Sequence, residues 1–337
     1  MNEKVVMIFT GGTISMKIDP EIKAAVPSLD GHEIVSYVNN LDELADIIVD
    51  NYISIPSPFI TPNIMLDLSK LVQEYVSRDD ITGVVISHGT DTLEETAYFL
   101  DLYIKTEKPV IFVGAMRSVS ELGYDGPSNL VAAIRTATSP FAKNKGVMVV
   151  MNGDINAANE VIKTHTMSLN TFRSIEFGPL GIVDNDEVLF YRNSTNNSIH
   201  IPTNTLENKV YLIKVASGMD GDLIDYYINK GAKGIVIEAF GRGNVPPMMV
   251  NSIKQAIARN IKIILVSRCP SGRVSGSYGY NGGGKMLCEL GVIFGTNLSG
   301  PKARIKLMLA LAYKNDYEYI KSIFEDDNLN IPFVKDN

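Results

Sequence analysis

The sequence predicts an α/β protein with two domains: a larger N-terminal one on a mostly parallel sheet covered by helices, and a smaller C-terminal one on a parallel sheet. Three observations predict it. Short runs that are apolar at nearly every position alternate with longer segments whose apolar residues recur at helical spacing. Strands without in–out alternation are those buried on both faces, as in parallel sheets. The alternation breaks once, in a stretch dominated by Asn, Ser and Thr around 187–208, and then resumes. A chain of 337 residues, 45% of them hydrophobic, is also long enough for two well-formed cores.

The elements follow in order. KVVMIFT (4–10) is an apolar run stopped by glycine and reads as the first strand. NIMLDLSKLVQEYV (63–76) has helical spacing and follows Thr61-Pro62, a helix-start pair. GVVIS (83–87) is a buried strand, DTLEETAYFLDLYI (91–104) a helix and PVIFVGA (109–115) a strand. GPSNLVAAIRTA is the next helix and GVMVVMN (146–152) the next strand. These place the N-terminal domain at 1–190 and a linker at 191–209. The C-terminal domain, 210–330, takes strands at 210–216, 234–240 and 261–267 with helices between them. ARIKLMLALAY (303–313) reads as an amphipathic helix and the last regular piece, followed by a loose polar tail.

Net charge is −7, with Lys and Arg scattered, so no basic surplus exists to displace counterions from a nucleic acid. The N-terminal MNEKVVMIFTGG has no apolar core of a signal peptide or membrane helix, so the expectation is a cytoplasmic protein without a membrane partner. Cys269 and Cys288 sit beside apolar residues without metal-type spacing and are expected to be reduced and near the core.

In open parallel sheets ligands sit at the carboxyl ends of strands. Four loops follow strands: TGGTISM, SHGTDTLEETAYF, GAMRSVSELGYDGPSNL and FGRGNVPP. The first two share one design of strand, glycine and threonine. Each alone could be a turn, with Gly supplying positive φ and Thr90 or Asp91 capping the following helix. Two such loops in one sheet would bring two hydroxyls to the same end. A hydroxyl nucleophile needs a nearby base, and a carboxylate–lysine couple of Asp91 and Lys163 could supply one. By itself, a lone lysine such as Lys163 is more often a solvated surface residue.

Other motifs carry less. GYNGGGKM (279–286) imitates a phosphate loop, but Met286 stands where Ser or Thr would hold magnesium and no strand precedes it. Neither a dinucleotide fingerprint nor a nucleophile elbow is present. His32, His88, His165 and His200 lack metal spacing, and His88 is expected to support hydrogen bonds in its own loop. No histidine pattern suggests a Ser-His-Asp hydrolase.

TGGTIS together with SHGTDTLEETAYFLDL closely resembles the bacterial-type L-asparaginase family, the threonine amidohydrolases that include glutaminase-asparaginases. GAMR with DGPSNL, VMVVMNGDI, VIKTHT, FGPLG and GPKARIKLMLAL agree, so the resemblance spans about 4–325. It implies a flavodoxin-like sheet in the larger domain and hydrolysis of L-asparagine, with L-glutamine as the alternative amide, and no cofactor or metal. It implies Thr13 as nucleophile, with Thr90, Asp91 and Lys163 as a polar relay. Asp91 would also hold the substrate α-amino group, Ser57 the α-carboxylate, and Gly12 and Gly89 would let backbone approach the ligand. Homotetramers built as dimers of dimers are implied, with Asn244 supporting a site from a neighbouring subunit.

Three departures stand out. Many members carry a tyrosine in the loop after the first threonine; Ala24 and Ala25 occupy that place, and Tyr278 or Tyr280 would be substitutes. Pro58 follows Ser57 where a substrate-binding glutamine often stands. The glutamate often contributed by a neighbouring subunit is missing from YGYNGGGK (278–285). With fewer groups to hold the α-amino end, asparagine is expected to be preferred over glutamine. A tRNA-dependent amidotransferase shares this catalytic domain but adds an N-terminal one, whereas this chain opens on the first strand. A silent amino-acid-binding protein would have no need of paired hydroxyls beside a Lys–Asp couple.

Overall fold

The computed structural model describes residues 3–38, 41–194 and 199–325. The chain divides into two compact units, Met1–His200 and Ile201–Asn337. Of the linker expected at 191–209, residues 195–198 lie outside the described residues, as do 326–337, which hold the tail.

The N-terminal unit is built on eight strands: β1 (Lys4–Phe9), β2 (Asp46–Asp50), β3 (Gly83–Ser87), β4 (Val110–Val113), β5 (Val147–Met151), β6 (Asp154–Ala157), β7 (Gly181–Asp184) and β8 (Glu187–Phe190). Their order in the sheet is β8-β7-β6-β5-β4-β3-β1-β2. The first five in chain order are mutually parallel. Read from the β2 edge they run 2-1-3-4-5, the doubly wound flavodoxin order, whose switch point lies between β1 and β3. Strands β3, β4 and β5 are buried at every residue, as their uninterrupted apolar runs require.

The far edge supplies the antiparallel part of this mostly parallel sheet. β6, β7 and β8 are joined by antiparallel pairing. The cause is local: Asn152 and Gly153 both hold positive φ, 53° and 79°, in the two-residue turn that folds β6 back on β5. Periodicity also does not predict β2 or the hairpin strands Met16–Asp19 and Ala24–Pro27; both hairpin strands are partly or fully exposed.

The helices begin where their caps allow. α1 (Gly31–Ser36) opens on a reciprocal capping box between Asp30 and Glu33. α2 (Pro62–Ser77) starts with proline behind Thr61, whose hydroxyl accepts from Ile64 N–H. α3 (Leu93–Tyr103) is preceded by Thr92, so neither Thr90 nor Asp91 is its cap. α4 (Gly126–Thr138) follows the long loop after β4.

The C-terminal unit has four parallel strands in sequential order, β9 (Val210–Lys214), β10 (Gly234–Ala239), β11 (Lys262–Ser267) and β12 (Ile293–Phe294). With them run α5 (Asp222–Asn229), α6 (Val250–Ala258), α7 (Gly284–Glu289), α8 (Gly300–Tyr313) and α9 (Tyr317–Glu325). The expected amphipathic helix, α8, is buried over most of its surface, Lys302 and Lys306 included. Besides the sheet, it packs against α9, a further regular element beyond 313: Lys306 Nζ donates to Ile323 O and lies 4.8 Å from the Phe324 ring centre. The cysteines are also corrected. Both are exposed: Cys269 lies beyond the end of β11, where the chain leaves the sheet, and Cys288 on the outer side of α7, next to buried Leu287. No helix among the described residues is long and apolar enough to cross a membrane.

Candidate active site

The site forms at the carboxyl ends of β1 and β3, on either side of the switch point. Thr10 extends their pairing one residue past β1: its N–H and hydroxyl both donate to Ser87 O, at 3.1 and 2.8 Å. The chain then turns sharply through Gly11 and Gly12, whose φ values are 100° and 91°. A side chain at Gly12 would be strained by that φ and would also meet the Gly89 α-carbon at 2.4 Å. The two glycine–threonine loops are therefore in direct backbone contact. Thr13 opens the 3-10 turn Thr13–Ser15 immediately after this contact.

A third loop completes the base. Ser57 is buried in the turn Ser57–Phe59; its hydroxyl accepts from Asp91 N–H at 3.3 Å and its carbonyl accepts from the Thr92 hydroxyl at 2.9 Å. A Cβ at Gly89 would lie 2.7 Å from both Ser57 Cβ and Oγ. Gly12, Gly89 and Ser57 are thus stacked with no room for an added methyl between them.

Lys163 reaches this cluster from a distant segment. It ends the short strand Ile162–Lys163, paired antiparallel with Phe172–Arg173. Its backbone N–H donates to the Glu94 carboxylate on α3. Its ammonium donates to Thr90 Oγ1 at 2.9 Å and to Asp91 Oδ1 at 2.8 Å. The lysine side chain is 18% exposed and that of Asp91 63% exposed. The carboxylate therefore faces solvent, while the shielded ammonium holds the buried Thr90 hydroxyl in one orientation.

Beneath the loop, His88 is completely buried. Desolvation lowers its pKa to about 4, only partly offset by the hydrogen bond to Gly89, so the ring is neutral at pH 7. Its Nδ1 lies 2.8 Å from Gly89 O and so carries the proton donated there. His88 supports the loop, as its sequence setting suggested.

Of the other expected residues, Asn244 belongs to the C-terminal unit. Its side-chain oxygen accepts from Gly284 N–H at 3.3 Å, at the start of α7, and its backbone pairs with Phe240. Tyr278 and Tyr280 also lie in that unit, exposed, with their ring centres 5.7 Å apart. Ala24 and Ala25 stand on the exposed second strand of the hairpin that follows the Thr13 turn. The tyrosine that does reach this turn carries no signal in the local sequence. Tyr124, between β4 and α4, donates its hydroxyl to Ile14 O at 2.8 Å.

An open sheet of flavodoxin order, with hydroxyls, an ammonium and a carboxylate gathered at its switch point, has the make-up of a hydrolytic α/β enzyme. Comparison with known proteins makes this specific. The family model described as Asparaginase, N-terminal matches residues 4–196, and the Glutaminase/Asparaginase C-terminal domain model matches 209–324. The chain belongs to the asparaginase family and is an amidohydrolase. It is 37% identical over 312 residues to an L-asparaginase of Bacillus licheniformis, covering 93% of this chain and 96% of that one. It is 33% identical over 333 residues to a component of the glutamyl-tRNA(Gln) amidotransferase of Pyrococcus abyssi, covering 95% of this chain and 74% of the relative. The crystal structure of a probable cytoplasmic L-asparaginase from Campylobacter jejuni superposes with a TM-score of 0.88 at 34% identity, covering 96% of this chain and 99% of that one.

Proposed function

We propose that this chain hydrolyses L-asparagine to L-aspartate and ammonia through an acyl-enzyme on Thr13. The observation that carries the reading is the Lys163 ammonium bonded to both Thr90 Oγ1 and Asp91 Oδ1, in a loop whose Gly89 touches the turn leading into Thr13. Thr13 Oγ adds to the side-chain amide carbon and its proton passes to the departing nitrogen. The C–N bond breaks, ammonia leaves, and an ester remains on Thr13. Water then adds to the ester carbon with help from the Thr90–Lys163 pair. The C–O bond to Thr13 breaks, its oxygen regains a proton, and aspartate is released. Backbone N–H groups at Gly12, Gly89 and Thr90 hold the developing oxyanion, a type of contact whose loss typically costs about 3–4 kcal/mol of barrier.

Asp91 takes the substrate ammonium and Ser57 the α-carboxylate. The N-terminal domain carries the catalytic groups. The working assembly is a homotetramer in which Asn244 supports a neighbouring subunit's site, and the enzyme acts in the cytoplasm, in line with the Campylobacter relative. L-Glutamine is the second substrate reading, favoured by the Glutaminase/Asparaginase description of the C-terminal family model. The deciding assay is ammonia release from each amide by the wild type and by Thr13→Ala. Release from asparagine that exceeds release from glutamine, and that is abolished in the variant, is expected. No release by the wild type overturns the enzyme reading; full activity in Thr13→Ala overturns the nucleophile. Comparable kinetics on both amides overturn the substrate preference.

A further inference from the structure

The geometry points to Tyr124 as a positioning residue that fixes the Thr13 turn from outside the nucleophile's own loop. The segment after Thr13 runs into the hairpin Met16–Asp19 and Ala24–Pro27, a partly exposed two-stranded ribbon. It is held along one side by the loop between β4 and α4. Val119 N–H donates to Met16 O at 3.3 Å and Ile18 N–H to Ser120 Oγ at 3.0 Å. At the end nearest Thr13, the Tyr124 hydroxyl donates to Ile14 O at 2.8 Å.

The clasping loop is itself rigid. The Asp125 carboxylate accepts from Met116 N–H, Arg117 N–H and the Asn129 amide, and Arg117 Nη1 donates to the carbonyls of Leu122 and Gly123. Tyr124 is therefore presented from a loop braced at both ends by its own hydrogen bonds. Its ring packs edge-on against Tyr37, centres 6.4 Å apart and planes at 87°. Burial, with Asp125 and Tyr37 nearby, raises its pKa, so the phenol remains a donor throughout the neutral range.

The bond matters because the turn it holds is only three residues long. Within it, Ser15 N–H and hydroxyl both donate to Gly12 O, and Met16 N–H to Thr13 O. These bonds close the turn on itself, and at its far end Ser15 O accepts from Ser28 and Leu29 N–H, both at 2.9 Å. Tyr124 adds a hydrogen bond from a separate loop at Ile14, the residue next to Thr13. A catalytic hydroxyl displaced by a fraction of an ångström loses rate without losing substrate affinity, since the groups assigned to hold the substrate, Ser57 and Asp91, lie on other loops.

The inference rests on the amidohydrolase reading of Thr13, and Tyr124→Phe tests the two separately. Hydrogen exchange by mass spectrometry reads the turn without any substrate: the variant is expected to exchange about tenfold faster over residues 14–18, with α4 unchanged. Steady-state ammonia release from L-asparagine is expected to show kcat lowered about tenfold and KM changed less than about twofold. Unchanged exchange overturns the clasp, whatever the activity. Faster exchange with unchanged kcat, or a loss confined to KM, overturns the positioning role. Wild-type protein that releases no ammonia overturns the amidohydrolase reading instead, and exchange alone then decides whether Tyr124 holds the turn. Tyr37→Phe, which keeps the edge-on ring, is expected to behave as wild type in both measurements.

Discussion

The buried imidazole under the Gly89 loop predicts an acid-sensitive N-terminal unit. His88 has no exposed surface, and Nε2 has no hydrogen-bond partner among the described residues. A second proton therefore has nowhere favourable to go, and the folded value falls from 6.5 to about 4. Above pH 6.5 the ring is neutral whether the chain is folded or unfolded, and the group leaves stability untouched. As pH falls below 6.5 the unfolded chain binds a proton that the folded one refuses, so stability is lost down to about pH 4. At about 1.4 kcal/mol per unit, the loss is about 2 kcal/mol by pH 5 and about 3 kcal/mol by pH 4. His88→Asn keeps an N–H able to donate to Gly89 O and removes the titration. Urea unfolding of the two proteins at about pH 7.5 and about pH 5, followed by a probe in the N-terminal unit, should show the wild type losing about 2 kcal/mol more than the variant. The wild-type imidazole Cε1–H resonance should titrate near pH 4 in the folded protein. Equal losses in both proteins, or a resonance that titrates near 6.5, refute the reasoning.

Two further predictions follow from contacts in the site. Lys163→Met keeps the stem but removes the ammonium from Thr90 Oγ1 and Asp91; kcat for ammonia release should fall about a hundredfold or more, while thermal stability changes by less than about 1 kcal/mol because Asp91 is largely exposed. Gly89→Ala places a methyl 2.7 Å from Ser57 Cβ and Oγ; the Ser57 loop must move, costing about 1–3 kcal/mol in unfolding free energy and raising KM for asparagine markedly. A KM equal to that of the wild type would show that Ser57 does not depend on this contact.

The regular parts of both units are legible in the sequence because burial on both faces leaves an unmistakable apolar run, as in GVVIS and GVMVVMN. The two Gly-Thr loops are legible as a pair because the sheet order brings β1 and β3 together. What escapes has weaker or longer-range causes. The antiparallel edge turns on Asn152-Gly153, a hairpin signal that the surrounding apolar run conceals. α9 hides in a polar-looking segment, and its packing shows in the buried Lys306 of α8, which reaches Ile323 and Phe324. Lys163 is the intermediate case: its two-residue strand is too short for periodicity to show and its partners lie more than 70 positions away, so it is named in the sequence on the weight of the family resemblance. Tyr124 meets Ile14 across 110 positions, a pairing that no local pattern encodes.

The glycines of the site explain why its chemistry depends on fold rather than on either loop alone. In the 2-1-3-4-5 order the connections leaving β1 and β3 diverge, which opens a crevice between their ends. A crevice by itself would hold the two threonine loops apart. They instead touch, because Gly12 and Gly89 carry no side chain where Cβ atoms would collide, and because Gly12 can adopt a φ of 91°. Ser57 fits against the same point from a third loop. Each loop read singly is a turn ahead of a helix or a 3-10 segment. Pressed together they set a hydroxyl on one wall of the crevice, and a lysine-held hydroxyl beside a solvent-facing carboxylate on the other. That division suits a substrate with a reactive amide at one end and an ammonium at the other. On the proposed roles of Thr13 and Asp91, the reach between the two ends is set by the Gly12–Gly89 contact, so a residue that widened it is expected to change which amide fits before it changes whether Thr13 reacts.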